Sequence, residues 1–117
     1  MDPLTPKELS SFRAQLTTLA GDLNATLAKS ADRSRPVELT TAQGRVSRAD
    51  AMQQQQMALA EERRIEARLR GIDGALKRLD EGCFGECTRC GEDILRRRLS
   101  IRPESALCMP CASAVGG

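Results

Sequence analysis

The chain of 117 residues contains no histidine, no tryptophan and no tyrosine, and only two phenylalanines. The absence of histidine removes the commonest general base of enzymes and every metal site that needs an imidazole ligand. With so few aromatic side chains a large globular core is hard to build, so leucine, isoleucine and alanine must supply most of the buried surface. Charged residues make up 29% of the chain, and this mixture favours long helices that bury a narrow apolar stripe.

The sequence also lacks an excess of charge and a long apolar run. Its net charge is +2, and residues 1–82 and 83–117 each contribute one positive charge, so neither part has the surplus that drives nonspecific binding to nucleic acid. No apolar stretch approaches the roughly 20 residues that a membrane-spanning helix needs. The first residues lack the charged and apolar regions of a secretory signal, so we expect a cytoplasmic protein in a reducing environment.

What the sequence does contain is a pair of Cys-x-x-Cys motifs. Cys87 and Cys90 form the first motif, and Cys108 and Cys111 form the second. A two-residue gap lets both thiolates of a motif reach one ion, so two motifs supply the four sulfur ligands of a tetrahedral Zn²⁺ site. Because a closed shell leaves no position for a substrate water, we expect one structural Zn²⁺. Two disulfides or an iron–sulfur cluster are the alternatives, and a reducing environment favours metal over disulfides.

Two residues close to the first motif add to this prediction. Gly91 follows Cys90, at a point where such a turn often needs a left-handed backbone conformation. Cys83 is the fifth cysteine of the chain. We expect it to be a free thiol, because the two motifs already account for four ligands.

The first predicted helix begins with a capping box. Thr5 stands at the N-cap, Pro6 at the first helical position and Glu8 three residues after the cap. Beyond the cap, apolar residues recur at alternating steps of three and four, the spacing of a heptad seam. These residues are Leu9, Phe12, Leu16, Leu19 and Leu23. Leu27 extends the seam imperfectly, and we expect the helix to end near Ser30.

The second predicted helix repeats this pattern, with Ser47 and Asp50 as the two ends of a second capping box. Its seam is strong toward the C-terminal end, at Ile65, Leu69, Ile72, Leu76 and Leu79. Projected backwards, the same spacing passes through Ala51, Gln55, Ala58 and Glu62, so the seam weakens toward the start of the helix. Residues 47–80 would form a helix about 51 Å long, from a rise of about 1.5 Å per residue.

Two seams joined by one linking segment predict an all-α fold, in which a long antiparallel helical hairpin of the coiled-coil type precedes a small four-cysteine zinc module. We place the hairpin at residues 1–82, with the segment 30–46 as its tip, and the zinc module at 83–117. A strong seam can also drive dimerisation. The helix in the same chain is nearer and avoids the entropy cost of association, so we expect an elongated monomer.

The residues around the cysteines form a longer pattern. It runs from Gly82 to Gly91, continues with Ile94, Arg97–Leu99 and Arg102–Pro103, and ends at the second cysteine motif. This pattern resembles the DksA/TraR family of bacterial transcription regulators, which have a C4-type zinc finger. A long helical hairpin before the cysteines is also typical of that family.

The resemblance implies a function without catalysis. Members of the family bind RNA polymerase, as core enzyme or holoenzyme, rather than promoter DNA. Their coiled coil enters the secondary channel, acidic residues at its tip approach the catalytic centre, and the zinc end docks outside. We therefore expect a bacterial regulator of initiation that binds neither specific DNA sequences nor membranes. The sequence shows no nucleophile–base pair, phosphate-binding loop or open metal site that would indicate an enzyme.

The candidate tip residues depart from the pattern of the family. The tip motif of the family is D-x-x-D-x-A. In this chain the segment 47–49 occupies the positions of the last three residues of that motif, D-x-A. The nearest match is Asp50 followed by Ala51, with Arg48 beside them. Asp50 has two interpretations, either an acid that acts at the catalytic centre of the polymerase or a cap of the second helix.

Basic residues suggest further family features. Arg64 and Arg68, on the outer faces of the second helix, are candidate residues for docking on the polymerase. Arg102 matches one of the basic residues that the family ties to the alarmone ppGpp. Ala112 stands where alarmone-responsive members have a basic residue after the last cysteine, so ppGpp is doubtful as a cofactor.

The residues leave two other functions open. Arg96–Arg98 and Arg102 form a basic run, which would suit a zinc-ribbon protein that binds nucleic acid. Phe84 is the only aromatic residue near this run, so no set of rings is available for stacking on bases. The two seams would also suit a structural coiled-coil adaptor.

Overall fold

A computed structural model describes residues 3–33 and 48–115. Within these ranges the chain forms four helices, α1 (Pro6–Arg33), α2 (Arg48–Glu81), α3 (Arg96–Ile101) and α4 (Met109–Ala114). The described residues contain no strand, apart from one isolated antiparallel bridge between Glu86 and Asp93. The all-α prediction is therefore confirmed. Over the same residues, none of the helices combines the length and the apolar character needed to cross a bilayer.

The predicted capping box at the start of α1 is confirmed. The backbone N–H of Thr5 donates to Oε1 of Glu8 at 3.0 Å, and the N–H of Glu8 donates to Oγ1 of Thr5 at 3.1 Å. The hydrogen bond from the Thr5 N–H, opposed by partial desolvation and reinforced by the nearby Arg96 guanidinium, holds the pKa of Glu8 below its ordinary value. The cap fixes the first turn of α1 at the position that the sequence predicts.

The end of α1 differs from the prediction. The helix continues to Arg33 instead of ending near Ser30. Ser30 is fully buried, and its hydroxyl donates to the backbone carbonyl of Ala58 in α2 at 3.4 Å. The serine therefore packs against the second helix rather than ending the first one. Most of the predicted tip segment, and Ser47 of the second capping box, lie outside the described residues.

The chain divides into two compact units, each of which contains part of α1 and part of α2. One unit is Gly21–Ala67, and the other consists of Met1–Ala20 with Arg68–Gly117. In the second of these, Arg13 of α1 forms an ion pair with Asp80 of α2 at 2.7 Å. In the first, the contact from Ser30 reaches Ala58. Positions later in α1 thus meet positions earlier in α2, as in an antiparallel hairpin.

The predicted seams coincide with the least exposed faces of both helices. In the unit that contains the cysteines, Leu16 and Ile72 are fully buried, and the rings of Phe12 and Phe84 lie 5.2 Å apart between centroids. In the unit Gly21–Ala67, the buried residues include Ala51, Ala58 and Ile65. The sequence predicts a weaker seam toward the start of α2. That part of the seam consists of small buried side chains, Ala51 and Ala58.

Ala75 is fully buried as well, although it lies beside the predicted seam and not on it. A helix in a globular core buries a stripe wider than a strict heptad seam, because a third position in each heptad also faces the partner. The heptad pattern in the sequence therefore predicts the centre of the buried stripe but not Ala75, which lies at its edge.

We expect that Ile72→Ala will destabilise the protein by about 2–5 kcal/mol, the range for large-to-small changes at buried sites. Ile72 is 0% exposed, so the change leaves a cavity in the core. Urea unfolding followed by circular dichroism would measure the loss. Ile101→Ala is the matched control, because Ile101 is 71% exposed and its truncation should change stability by less than about 0.5 kcal/mol. Equal effects of the two changes would contradict this account of the core.

Candidate metal centre

The first cysteine motif lies in a tight turn after α2. The N–H of Cys87 donates to the carbonyl of Glu92 at 2.7 Å, and the N–H of Gly91 donates to the carbonyl of Cys87 at 2.9 Å. Gly91 has a φ of +80°, a left-handed conformation that residues with a Cβ rarely adopt. The prediction for Gly91 is confirmed. The turn brings Cys87 and Cys90 back toward each other.

A second glycine fixes this turn to the rest of its unit. The N–H of Ile94 donates to the carbonyl of Gly85 at 2.7 Å, and Gly85 has a φ of +92°. This backbone conformation favours glycine here, and a Cβ at Gly85 would also lie 3.0 Å from Cδ1 of Leu4, which would have to move slightly. Ile94 and Leu99 are buried beside it. The first motif therefore rests on a small apolar cluster.

The second cysteine motif begins α4. Cys108 is the N-cap residue, with φ −70° and ψ 167°, and the N–H of Ala112 donates to its carbonyl at 2.9 Å. Pro110 occupies the first turn, where the missing N–H of proline costs nothing because no acceptor precedes it. One helical turn thus presents Cys108 and Cys111 on the same side.

The four cysteines converge at one point. Their sulfur atoms all lie within 4.8 Å of one another, and the sulfurs of Cys90 and Cys108 are 3.6 Å apart. A tetrahedral ion with metal–sulfur bonds of about 2.3 Å separates its ligand sulfurs by about 3.8 Å. A disulfide needs sulfurs about 2.05 Å apart, and all five cysteines are free thiols. The spacing therefore fits one tetrahedral metal ion.

The electrostatics of the cluster also favour a bound cation. Desolvation disfavours the thiolate of Cys87, but backbone N–H groups of Cys108, Cys90 and Arg89 donate to its sulfur and lower its pKa to about 6. The neighbouring sulfurs, Cys108 first, together with burial, raise the pKa of Cys111 to about 12. The pKa of Cys90 is also raised, since burial and the adjacent thiols outweigh a hydrogen bond from the Glu92 backbone. Four thiolates so close together repel one another unless a cation lies between them.

The fifth cysteine lies outside this cluster. Cys83 is half-buried, and its thiol contacts Oε2 of Glu81 at 3.9 Å. Over the residues that the structure describes, the group of side chains able to hold a metal is formed by Cys87, Cys90, Cys108 and Cys111. These are the four positions that the motif spacing predicted.

The arginine run on α3 is only partly available to a ligand. Arg96 donates to the carbonyl of Pro3 at 3.2 Å and forms an ion pair with Glu8 at 3.2 Å. Arg98 donates through Nε to the carbonyl of Leu107 at 3.1 Å. Arg97 and Arg102 are exposed. Two of the four arginines thus have intramolecular contacts, which weakens the nucleic-acid alternative.

The candidate tip and docking residues all lie on α2, away from the cysteines in sequence. Arg48 and Asp50 are exposed in its first turn, and Ala51 is buried. Arg64 is exposed. Arg68 instead forms an ion pair with Glu104 at 2.6 Å.

The sequence identifies Arg68 as a candidate docking residue but does not indicate that Glu104 is its partner. The two residues are 36 positions apart, and no periodic pattern connects them. The sequence also does not indicate the contacts of Thr88, whose N–H and hydroxyl both donate to the carbonyl of Ala106, at 2.9 Å and 3.2 Å.

We expect Cys87→Ser to abolish binding of one metal ion per chain and to unfold the region after α2, because that region buries little apolar surface of its own. Metal content by atomic emission and helicity by circular dichroism would record both effects. Cys83→Ser is the matched control, since it removes a thiol outside the cluster and should keep the full metal content. Loss of metal from Cys83→Ser would overturn the assignment of the ligands.

Comparison with known proteins gives matches of two kinds. No protein-family model matches the chain. An uncharacterized protein of Aquifex aeolicus is 45% identical over 49 residues, which cover 42% of this chain and 34% of that protein. The RNA polymerase-binding transcription factor DksA of Haemophilus influenzae is 46% identical over 43 residues, which cover 37% and 30% of the two chains. The aligned part thus spans about a third of the length of these curated relatives.

A solved structure matches much more of the chain. The structure of transcription factor DksA2 from Pseudomonas aeruginosa superposes with a TM-score of 0.73 and 29% sequence identity, and the match covers 95% of this chain and 84% of that one. The four-cysteine cluster, the antiparallel hairpin and these similarities agree with one another. Together they support the DksA/TraR family as the family that this chain resembles.

Proposed function

We propose that this protein is a bacterial transcription regulator that binds RNA polymerase directly and has no enzymatic activity. The observation that supports this most is the match to transcription factor DksA2, because it extends over 95% of this chain and therefore includes the hairpin as well as the cysteines. The DksA of Haemophilus influenzae, which is 46% identical to this chain over 43 residues, is described as an RNA polymerase-binding transcription factor. The protein would act in the cytoplasm, where the polymerase is.

The metal in this proposal is one structural Zn²⁺ per chain. Cys87, Cys90, Cys108 and Cys111 would supply soft thiolate ligands whose sulfurs lie within 4.8 Å of one another, and such ligands suit Zn²⁺ better than the oxygen-preferring cations Mg²⁺ and Ca²⁺. The ion would join the two cysteine motifs and neutralise part of their negative charge. All four positions of its shell would be filled, so the site supports folding and not catalysis.

The hairpin is the part that we propose to enter the secondary channel of the polymerase. α2 has 34 residues, which corresponds to about 51 Å at about 1.5 Å per residue. A helix of that length can reach deep into a channel while the cysteine region stays at its entrance. In this proposal residues 1–82 act as the probe, and residues 83–117 act as the docking module.

The docking residues Arg64 and Arg68 are not equivalent. Arg64 is exposed and could meet an acidic surface of the polymerase directly. Arg68 is paired with Glu104, whose side chain is only 9% exposed. A polymerase carboxylate would have to replace Glu104 and leave a buried charge without its partner, which is costly. Arg64 is therefore the better candidate.

The proposal includes three further expectations. The protein acts as a monomer, since α1 and α2 already bury their seams against each other within both units. It does not bind specific DNA sequences, because Arg96 and Arg98 have intramolecular partners and the net charge is only +2. Its action does not depend on ppGpp, since Ala112 provides no basic group after the last cysteine.

We expect the purified zinc-loaded protein to bind core RNA polymerase with a dissociation constant in the micromolar range or below, measured by pull-down and by fluorescence anisotropy. Arg64→Ala should weaken binding without lowering the melting temperature, because it removes an exposed charge. Arg63→Ala, an exposed arginine next to it, is the matched control. A folded chain that shows no binding to core polymerase at micromolar concentration would refute the proposed function.

We expect Asp50→Asn to separate binding from activity. Asp50 is exposed in the first turn of α2, and asparagine keeps an acceptor near the start of the helix, so stability should change by less than about 1 kcal/mol. If the carboxylate acts at the catalytic centre, the variant should bind polymerase normally and lose its effect on initiation in a transcription assay. Asp22→Asn removes the same charge from an exposed site in α1 and should change neither property. An Asp50→Asn variant with full transcriptional effect would mean that Asp50 serves only the helix.

A further inference from the structure

The chain that leads into the second cysteine motif is held by side chains from two other elements. Arg98 of α3 donates through Nε to the carbonyl of Leu107 at 3.1 Å, and its Nη1 contacts Sδ of Met109 at 3.0 Å. These two residues flank Cys108. One guanidinium group therefore contacts both neighbours of a metal-binding cysteine.

Ala106, the residue before Leu107, is held in place as well. Thr88 lies between Cys87 and Cys90, and its hydroxyl and N–H both donate to the carbonyl of Ala106. The carbonyls of Ala106 and Leu107 are thus fixed in succession, one by the first cysteine motif and the other by α3. A further contact joins the motifs, since Arg89 donates to the carbonyl of Cys111 at 3.4 Å.

We propose that Arg98, assisted by Thr88, is a positioning residue for the metal centre. By holding both neighbours of Cys108, the guanidinium group sets the place of that cysteine before the metal arrives. A preformed arrangement of ligands binds an ion more tightly and releases it more slowly than one that must first be ordered.

The contacts of Arg98 are specific to that position on α3. Arg97, the preceding residue, is exposed, and Arg96 turns toward Glu8 and Pro3 at the start of α1. Three successive arginines thus have three different surroundings. Arg97 is for this reason a matched control of the same residue type on the same helix.

The test measures Zn²⁺ affinity by competition with a chromogenic chelator and the rate of Zn²⁺ release to excess chelator, for the full-length protein. Arg98→Met keeps most of the apolar stem and removes the donors. It should weaken Zn²⁺ binding by about 10- to 100-fold, the usual range for residues that orient metal ligands, and it should speed release. Arg97→Met should match the unaltered protein. Arg98→Lys, which retains one donor, should restore part of the affinity.

Two further measurements distinguish positioning from a general loss of structure. The absorption spectrum of the Co²⁺-loaded Arg98→Met variant should still show four thiolate ligands, because the cysteines themselves are unchanged. Thr88→Val removes only the hydroxyl bond to Ala106 and should weaken Zn²⁺ binding by about 2- to 10-fold, the value of one neutral hydrogen bond. Its control is Thr26→Val, which removes a similar bond of 3.0 Å within α1 and should not affect the metal.

The inference depends on the proposed Zn²⁺ site but not on any role at RNA polymerase. If the unaltered protein bound no Zn²⁺, the proposed site and this inference would both be wrong. If it bound Zn²⁺, and Arg98→Met and Thr88→Val had the same affinity and release rate as the unaltered protein, only the inference would be overturned. An Arg98→Met variant whose Co²⁺ spectrum had lost thiolate ligands would also count against a positioning role.

Discussion

The region after α2 depends on the convergence of four thiols, because little else is available to stabilise it. Its fully buried large side chains are Ile94, Leu99 and Pro103, with Phe84 nearly so. A core of this size does not offset the entropy cost of ordering the chain around it. The crowding of sulfurs that raises the pKa of Cys111 to about 12 would be relieved by a divalent cation bound between them. Binding of a metal ion at this cluster would therefore be coupled to the folding of the region.

The cysteine region is joined to the helices by polar contacts of unequal weight. The Arg13–Asp80 pair joins the two helices near this region and is about half-exposed on the arginine side, and exposed pairs of this kind contribute little. The Arg68–Glu104 pair is different, because the carboxylate is nearly buried. Its Oε1 atom has no hydrogen-bond partner among the residues that the structure describes, so Glu104 depends on Arg68 alone. This pair fixes the segment between the two cysteine motifs against α2.

Much of this architecture could be predicted from the sequence because it depends on local spacing. The capping box of Thr5 and Glu8, the left-handed Gly91 and the grouping of the four cysteines follow from short patterns whose physical meaning is fixed. The heptad seams identified the faces on which α1 and α2 meet. The polar contacts of Ser30, Arg68 and Arg98 could not be predicted in this way, since their partners lie 28, 36 and 9 positions away, beyond the reach of a helical repeat. The partners are backbone carbonyls, a carboxylate and a methionine sulfur, groups that leave no periodic pattern in the sequence.

The row of small side chains in the unit Gly21–Ala67 has a consequence for the thickness of the hairpin. The spacing between two packed helices is set by the side chains between them, and alanine at positions 51 and 58 allows the backbones to approach closely. The bond from Ser30 to the main-chain carbonyl of Ala58 shows this directly, since so short a side chain spans the gap between the helices. Leucine and isoleucine at these positions would push the helices apart. The small side chains of this seam thus make the helix pair of the unit Gly21–Ala67 narrower than one packed through leucine and isoleucine would be.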